Sequence, residues 1–327
     1  MPGIIVVSFT LNVAERALVA ETVGGAGEII HLADCDDAGR AAALSRADVL
    51  FAANTAQELR PGEAGLLAGA KLIQFMPAGI DFIPIGDLPP GVKVATNAGA
   101  YAEPMAEHAV AMALAAAKRL VVEHGALTRG AFNQQIPNRM LSGGVCGIFG
   151  YGAIGRATAR LLRAFGMRIH AINRGGRAED GVDWIGTPDR LDTLLGASDV
   201  LVISAPLTRA TERLIGAAQF AAMKPDAILI NLARGEIIEE AALYAHLQAN
   251  PAFTACIDAW WIEPVRHGRF AMDYPFLTLP NVIGSPHNSA SVPATRPTGL
   301  RRAAENCARA LRGETPLNLV GAGDRYL

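Results

Sequence analysis

A glycine-rich turn next to an apolar run limits what this chain can fold into more than any other feature. Residues 145–155 read Val-Cys-Gly-Ile-Phe-Gly-Tyr-Gly-Ala-Ile-Gly. We interpret them as a buried strand, a tight turn and a helix start. Gly150 would permit the turn, Gly152 would let a ligand approach the backbone, and Gly155 would let the helix pack on the strand. Because N–H groups at a helix start attract anions, the segment predicts a site for a dinucleotide pyrophosphate.

The motif G-x-G-x-x-G carries little weight alone, because a glycine-rich junction can be only a turn. Here an amphipathic segment follows at residues 156–165, and residues 168–172 have the composition of a second strand. The combination predicts the strand, helix and strand that open a dinucleotide-binding sheet.

Composition and charge exclude several classes of function. The chain has 327 residues, 51% of them hydrophobic, and a net charge of −2, which suits two globular domains. Evenly scattered Lys and Arg argue against a nucleic-acid surface or a polybasic membrane anchor. The chain has neither a secretory leader pattern nor an uncharged apolar stretch of membrane-spanning length. We therefore expect a cytoplasmic protein that binds a small molecule, with no nucleic acid and no membrane as partner.

The cysteines support the same expectation. Cys35, Cys146, Cys256 and Cys307 lie far apart in the sequence, which suggests neither a disulfide framework nor a zinc site. We expect a reducing compartment and no metal.

Short apolar runs alternate with helical segments along the whole chain. The predicted strands are residues 4–9, 28–32, 48–52, 71–75, 92–95, 145–149, 168–172, 199–204, 227–232, 254–258 and 282–285. Because such alternation implies mostly parallel sheets, we predict an α/β fold of two doubly wound domains. The larger, a Rossmann-type dinucleotide-binding domain at 101–287, would be inserted into a smaller substrate-binding domain made of 1–100 and 288–327.

Two helices are predicted near the domain boundaries. Residues 105–120 are alanine-rich and free of Pro and Gly, which favours a long helix that could pack within the chain or against another subunit. Residues 293–312 predict a terminal helix. His108 lies on the first helix, where packing or hydrogen bonding is a more common role for histidine than ligand binding.

The second strand of the larger domain is followed by a basic loop. An NAD site commonly has an acidic residue there, but this chain has Asn173 and Arg174. A neutral Asn173 would not repel a 2′-phosphate, and Arg174 and Arg177 could bind one with charge-assisted hydrogen bonds. Alternatively, both arginines are solvated loop residues. We expect NADP as the preferred cofactor and NAD as the alternative.

Three polar residues follow later strands of the larger domain, namely Arg234, Glu263 and His287. The ends of parallel strands meet at one edge of a sheet, so these side chains should converge. A guanidinium can hold a substrate carboxylate and stabilise charge on its carbonyl oxygen, while a histidine that is charged and oriented by a carboxylate can transfer a proton. Taken singly, each has an ordinary structural explanation. Together they predict reversible reduction of a 2-oxo acid, with all three as catalytic residues.

With these residues the chain resembles the D-isomer-specific 2-hydroxyacid dehydrogenase family over nearly its whole length. The matching segments are 76–83, 97–114 with Ala106-Glu107-His108, 147–155, 205–208, 231–238, Asp258 with Glu263-Pro264, and Pro286-His287. The resemblance implies that a D-2-hydroxy acid and a 2-oxo acid are interconverted with a nicotinamide cofactor, usually by a homodimer. It implies that His287 is the acid–base, Glu263 its partner and Arg234 the substrate anchor.

The resemblance also implies binding residues. Without it, residues 76–81 would be more simply a loop that needs a glycine. The implied substrate site contains Ala78, Gly79, Ile80, Tyr101, Arg234 and His287. The implied cofactor site contains Gly150, Gly152, Ala153, Ile154, Gly155, Asn173, Arg174, Arg177, Ala205, Pro206, Leu232, Ala233, Arg234, Asp258 and His287, with Ala153 and Ile154 at the pyrophosphate and Asp258 at the carboxamide.

Two departures from the family pattern leave the substrate open. Tyr101 stands where the family often has Asn, and Trp260-Trp261 replace smaller or single aromatic residues, so these side chains could shape the substrate pocket or simply fill space. The Asn173-Arg174 pair resembles that of NADPH-using glyoxylate or hydroxypyruvate reductases. The alternative to a dehydrogenase is a regulatory protein that senses a nucleotide and has the same fold. Formate dehydrogenase is disfavoured, because that branch resembles Gln paired with His rather than Glu263.

Overall fold

Contacts between residues divide the chain into two compact units. The computed structural model describes residues 2–177 and 181–321. One unit contains the residues up to Tyr101 together with those from Val292 onward, and the other is Ala102–Ser291. The sequence predicted domain boundaries after residues 100 and 287. The ends of the predicted smaller domain, Met1 and 322–327, lie outside the described residues. The second observed boundary comes later in the chain, because the two residues after His287 are hydrogen-bonded to Asp258 in the second unit.

The first unit is built on a five-stranded parallel sheet in the order β2-β1-β3-β4-β5. Its strands are β1 Gly3–Val7, β2 Gly27–His31, β3 Val49–Ala52, β4 Leu72–Phe75 and β5 Lys93–Ala95. Its first three helices are α1 Val13–Val23, α2 Asp37–Arg46 and α3 Thr55–Glu58. Strands β3 and β4 are buried along their whole length, as expected for parallel strands that are covered on both faces.

The second unit contains a seven-stranded parallel sheet in the order β12-β11-β10-β9-β6-β7-β8. Its strands are β6 Val145–Phe149, β7 Arg168–Ile172, β8 Trp184–Gly186, β9 Val200–Ile203, β10 Ile228–Asn231, β11 Thr254–Ile257 and β12 Val282–Gly284. The prediction of two parallel-sheet α/β domains is confirmed. Six strands were predicted here, and β8 was missed because an edge strand of three residues, two of them only half-buried, has too short an apolar pattern.

The helices of the second unit begin with a long helix next to the boundary. They are α4 Ala102–Ala117, α5 Leu120–Thr128, α6 Ala153–Ala164, α7 Leu191–Ala197, α8 Ala217–Ala222, α9 Glu240–Ala249 and α10 Pro264–His267. Helix α4 begins before the predicted residue 105, because Pro104 is tolerated in a first turn. It ends at Ala117, and Arg119, with φ of +54°, separates it from α5.

The terminal helix, α11 Thr295–Leu311, belongs to the first unit and packs against its core residues with Leu300 and Ala303. Within the described part of the chain, no helix combines the length and the apolar character needed to cross a membrane.

Candidate active site

The glycine turn has a backbone that only glycine accommodates. Strand β6 ends at Phe149, and α6 begins four residues later. Gly150 has a φ of +100°, and a Cβ added there would lie 2.3 Å from the backbone N of Ala205. A Cβ added at Gly155 would lie 2.7 Å from the carbonyl oxygen of Gly150, so the helix packs directly on the turn. Both glycines are therefore required by close backbone packing.

Gly152 differs, because the space above it is open. A Cβ added there would meet nothing within 4 Å, and Gly152 begins α6 without a side-chain cap. The first N–H groups of a helix have no intrahelical partner and favour an anion, so this open helix start fits the pyrophosphate of a nicotinamide dinucleotide. The cofactor contacts assigned to Ala153 and Ile154 stay predictions.

Four of the predicted cofactor residues follow the neighbouring strands β9 and β10, namely Ala205, Pro206, Leu232 and Ala233. Ala205 and Leu232 are buried, at 6% and 1% exposed. Pro206 is exposed, and Ala233 is half-buried. Asn231, which the sequence analysis did not single out, accepts a hydrogen bond from Ala233 N (3.1 Å) and donates one to the Arg234 carbonyl (2.9 Å). It therefore shapes the backbone that presents Arg234.

The loop after β7 is ordered by Asn173. Its Oδ1 accepts hydrogen bonds from the N–H groups of Gly175 (3.1 Å) and Arg177 (3.3 Å), while its Nδ2 donates to the Arg177 carbonyl (2.7 Å). An aspartate could not make the last of these bonds, since a carboxylate has no donor. Asn173 thus organises a loop on which Arg174 and Arg177 are both exposed.

His287 and Glu263 are in direct contact. His287 Nδ1 lies 2.8 Å from both carboxylate oxygens of Glu263. The glutamate side chain is 9% exposed and the histidine side chain 34%, so the carboxylate is sheltered while the ring reaches solvent. Because Nδ1 is committed to Glu263, Nε2 is the nitrogen that can face a substrate.

Glu263 is held in its ionised form. Burial alone would raise its pKa, but the hydrogen bond and charge of His287, the Trp260 N–H at 2.7 Å and the charge of Arg234 together hold the pKa of Glu263 below its usual value. An ionised carboxylate can only accept a hydrogen bond, so the hydrogen between the two side chains belongs to His287 Nδ1.

Asp258 anchors the backbone at His287. His287 has a φ of +50°, a left-handed conformation that costs a non-glycine residue about 1 kcal/mol or more. The Asp258 carbonyl accepts a hydrogen bond from His287 N (2.9 Å), and its carboxylate accepts from Asn288 N (3.1 Å) and Ser289 N (3.3 Å). Asp258 is completely buried. The predicted contact with a carboxamide stays a prediction, and the anchoring role was not visible in the sequence.

His108 and Ser285 complete this anchor. Ser285 Oγ donates to Asp258 Oδ1 (2.5 Å), and His108 Nε2 lies 3.0 Å from Ser285 Oγ. Because the only hydroxyl hydrogen of Ser285 is used on Asp258, His108 must be the donor in the second bond. His108 therefore has a hydrogen-bonding role. Its position in the segment Ala106-Glu107-His108 was the only signal for it in the sequence.

Arg234 lies at the same sheet edge, three residues beyond β10. It is half-buried, its Nη1 donates to the Ala233 carbonyl (2.7 Å), and its charge acts on Glu263. The next residue, Gly235, packs so closely that an added Cβ would lie 2.4 Å from the carbonyl carbon of Trp260. The structure thus places Arg234, Glu263 and His287 on adjoining loops of one unit, while their catalytic roles stay predictions.

The two tryptophans are packed within the second unit. Trp260 is 4% exposed, and its Nε1 donates to the Ser285 carbonyl (2.8 Å). Trp261 Nε1 donates to the Ile238 carbonyl (2.8 Å), and its ring stacks on Phe276 at 5.2 Å. Both side chains therefore fill space and connect loops of this unit.

The predicted substrate residues of the first unit follow β4. Ala78 and Gly79 are half-buried, and Ile80 is buried. Tyr101 Oη donates to the Met76 carbonyl (2.7 Å), and burial raises the pKa of Tyr101. With its hydrogen used in this way, Tyr101 could only accept a hydrogen bond from a substrate. All four substrate roles stay predictions.

The described residues include no group of three or more His, Cys, Asp or Glu that could hold a metal ion. The four cysteines are free thiols.

This chain is similar to known reductases and dehydrogenases, both in sequence and in fold. Residues 110–289 match the family described as D-isomer specific 2-hydroxyacid dehydrogenase, NAD binding domain. The chain is 35% identical over 239 residues to a glyoxylate reductase of Korarchaeum cryptofilum, an alignment that covers 70% of this chain and 69% of that protein. It is 33% identical over 235 residues to a D-3-phosphoglycerate dehydrogenase of Methanocaldococcus jannaschii, covering 70% of this chain and 43% of that one. Its fold is similar to that of a D-isomer specific 2-hydroxyacid dehydrogenase from Xanthobacter autotrophicus, with a TM-score of 0.80, 24% identity and 98% of each chain covered.

Proposed function

Since this chain belongs to the D-isomer-specific 2-hydroxyacid dehydrogenase family, and is therefore an oxidoreductase that uses a nicotinamide dinucleotide, we propose that it reduces glyoxylate or hydroxypyruvate to the corresponding 2-hydroxy acid. The observation that carries the chemistry is the contact of His287 with a sheltered, ionised Glu263 beside Arg234. The proposal for the substrate is supported by the similarity to a glyoxylate reductase. The alignment covers 69% of that protein, but only 43% of the phosphoglycerate dehydrogenase.

In the proposed mechanism each of the three residues has a separate task. Arg234 binds the substrate carboxylate through paired N–H groups and stabilises the negative charge that develops on the carbonyl oxygen. His287 donates the proton on Nε2 to that oxygen during reduction and accepts it back during oxidation. Glu263 holds Nδ1 and compensates the charge on the ring while it is protonated. A nicotinamide, when bound, would supply the hydride for reduction and accept it in oxidation.

The proposed preference for NADP rests on the loop after β7. Asn173 brings no negative charge to this loop, and it holds Arg174 and Arg177 on an exposed turn where a 2′-phosphate could pair with a guanidinium. A charge-assisted hydrogen bond contributes about 1.5–3 kcal/mol, which corresponds to a preference of about 10- to 100-fold for NADPH over NADH.

A substrate panel with both cofactors tests the function and the cofactor preference together. We expect kcat/KM for glyoxylate or hydroxypyruvate to be about tenfold or more above that for pyruvate, phenylpyruvate and the 2-oxo acid formed by oxidation of 3-phosphoglycerate. A difference of this size is typical of a binding pocket that distinguishes similar substrates. NADPH should be the better reductant. Faster turnover of the phosphorylated acid would reassign the substrate. Tight NADPH binding with no turnover of any acid would favour the nucleotide-sensing regulator.

The proposed location is the cytoplasm, in keeping with four free thiols.

The proposed homodimer would form through an apolar surface on α5 and the loop that follows it. This surface, here called the α5 surface, consists of six side chains that are 45–77% exposed, namely Leu120, Val121, Leu127, Phe132, Ile136 and Met140. The loop is held against the helix by Asn133 Nδ2 on Glu123 (2.9 Å), and it returns to α4 through the bond from Arg139 N to the Ala117 carbonyl. Because monomers rarely expose so many large apolar side chains together, a second copy of the chain is the proposed occupant.

Replacing Phe132 with Asp should dissociate the proposed dimer, because Phe132 is the most exposed side chain of the α5 surface and a charge there would have to be desolvated in the interface. Light scattering should give the wild-type protein twice its chain mass of 34.3 kDa and the variant that mass itself. Val13, which is 86% exposed on α1, offers a matched control, and Val13→Asp should stay dimeric. A monomeric wild type would remove the proposal.

A further inference from the structure

A half-buried ion pair joins the two segments that carry Arg234 and Glu263. Arg266 Nη1 lies 2.6 Å from Glu236 Oε1, and the two side chains are only 14% and 20% exposed. Glu236 lies two residues after Arg234, and Arg266 lies three residues after Glu263. The pair thus connects the residue that would anchor the substrate to the residue that orients His287.

Other contacts hold the same two loops together at backbone level. Gly235 packs on Trp260 and Trp261, with an added Cβ only 2.5 Å from Trp261 N. Trp261 Nε1 donates to the Ile238 carbonyl at 2.8 Å. These contacts keep the two loops adjacent. The ion pair adds a contact between Glu236 and α10, the short helix directly after Glu263.

Stability alone is a poor reason for such a pair. Removing two charges from water costs about as much as their attraction returns, and well-packed apolar side chains of similar size are often as stable. What an ion pair adds is a defined distance and direction between two groups. Here those two groups belong to the segments whose relative position decides whether a substrate is held in line with His287.

We propose that the ion pair between Glu236 and Arg266 is a positioning device that sets the register of the Arg234 loop against the Glu263 loop. Neither residue touches the substrate in this proposal, and both act through their neighbours. The proposal rests on the proposed function for its effect on rates, but its effect on the loops can be measured without cofactor or substrate.

The test replaces both charges with side chains of similar length, as Glu236→Met with Arg266→Met. Because the double change removes both charges of the pair together, the melting temperature should stay near that of the wild type. The kcat/KM for the 2-oxo acid should fall by about 10- to 100-fold through both kcat and KM, as expected for a misplacement of about 1 Å, while the Kd for NADPH stays within about twofold. The swapped pair Glu236→Arg with Arg266→Glu should recover part of the loss, since it restores the attraction.

A second readout works on the protein without cofactor. Trp261 is hydrogen-bonded across the two loops, and the backbone of Trp260 packs on Gly235, so acrylamide should quench tryptophan fluorescence more strongly in the double Met variant. The matched control is the pair Arg40 and Glu63 in the first unit, at 2.7 Å and 11% and 12% exposed. Replacing both of these with Met should change neither the quenching nor kcat/KM.

Unchanged quenching and unchanged kcat/KM in the Glu236/Arg266 variant would overturn the proposal. If the wild-type protein reduced none of the acids, the proposed function would fail, and the quenching result alone would decide whether the pair positions the loops.

Discussion

Replacing His287 with Asn should lower kcat for the 2-oxo acid by about 10²- to 10⁴-fold, which is the usual contribution of a positioned general acid–base. Asn cannot release or accept a proton at neutral pH, so the carbonyl oxygen would have to take its proton from water. Asn is also the non-glycine residue that best tolerates the left-handed backbone found here, at a φ of +50°, so the variant should fold normally.

The measurement combines steady-state kinetics with a fluorescence titration of NADPH and a melting curve. The Kd for NADPH should stay within about twofold, because the glycine turn that would bind the pyrophosphate is untouched. His124, exposed on α5, provides the control, and His124→Asn should leave kcat unchanged. An equal loss of turnover and of cofactor binding would contradict the acid–base role of His287.

Gly150→Ala should destabilise the protein strongly, whereas Gly152→Ala should have almost no effect on its stability. At Gly150 the φ of +100° is strained for alanine, and its Cβ would lie 2.3 Å from Ala205 N, so strain and overpacking together should cost about 3 kcal/mol or more. At Gly152 the φ is −96° and the added Cβ would meet no atom of the chain within 4 Å. The melting temperature should therefore separate the two variants clearly.

Cofactor binding should separate them from the wild type in a different way. In Gly152→Ala a folded protein should bind NADPH at least about tenfold more weakly, because the new methyl group occupies the space through which the pyrophosphate would approach the helix start. The two measurements together distinguish a glycine needed for the fold from a glycine needed for a ligand. Wild-type affinity for NADPH in Gly152→Ala would place the cofactor elsewhere.

The order of the strands was enough to predict which residues share the candidate active site. Residues that follow the carboxyl ends of parallel strands lie at one edge of the sheet. The proximity of Arg234, Glu263 and His287 could therefore be predicted without knowing any side-chain position. The departure at Asn173 was visible in the same way. Its side-chain bonds to Gly175 and Arg177 were not, because they depend on the path of the loop.

The residues that orient the site could not be predicted from the sequence. Asp258 was assigned to the cofactor from the family resemblance, yet its carboxylate binds the backbone directly after His287. His108 reaches this group from a helix that lies more than a hundred residues earlier in the chain, through Ser285. No periodicity links such positions, since the contact exists only after α4 has packed against the sheet.

Local physical chemistry, written in the sequence, determined the alternation of strands and helices, the sharp turn at Gly150 and the sheet edge at which polar residues collect. Each of these depends on hydrophobic period, backbone freedom or strand polarity, which are properties of residues near one another in the chain. Tertiary structure decided the short edge strand β8, the anchor made by Asp258, and the ion pair between Glu236 and Arg266. These depend on side-chain direction and burial, which are set only when distant segments pack together.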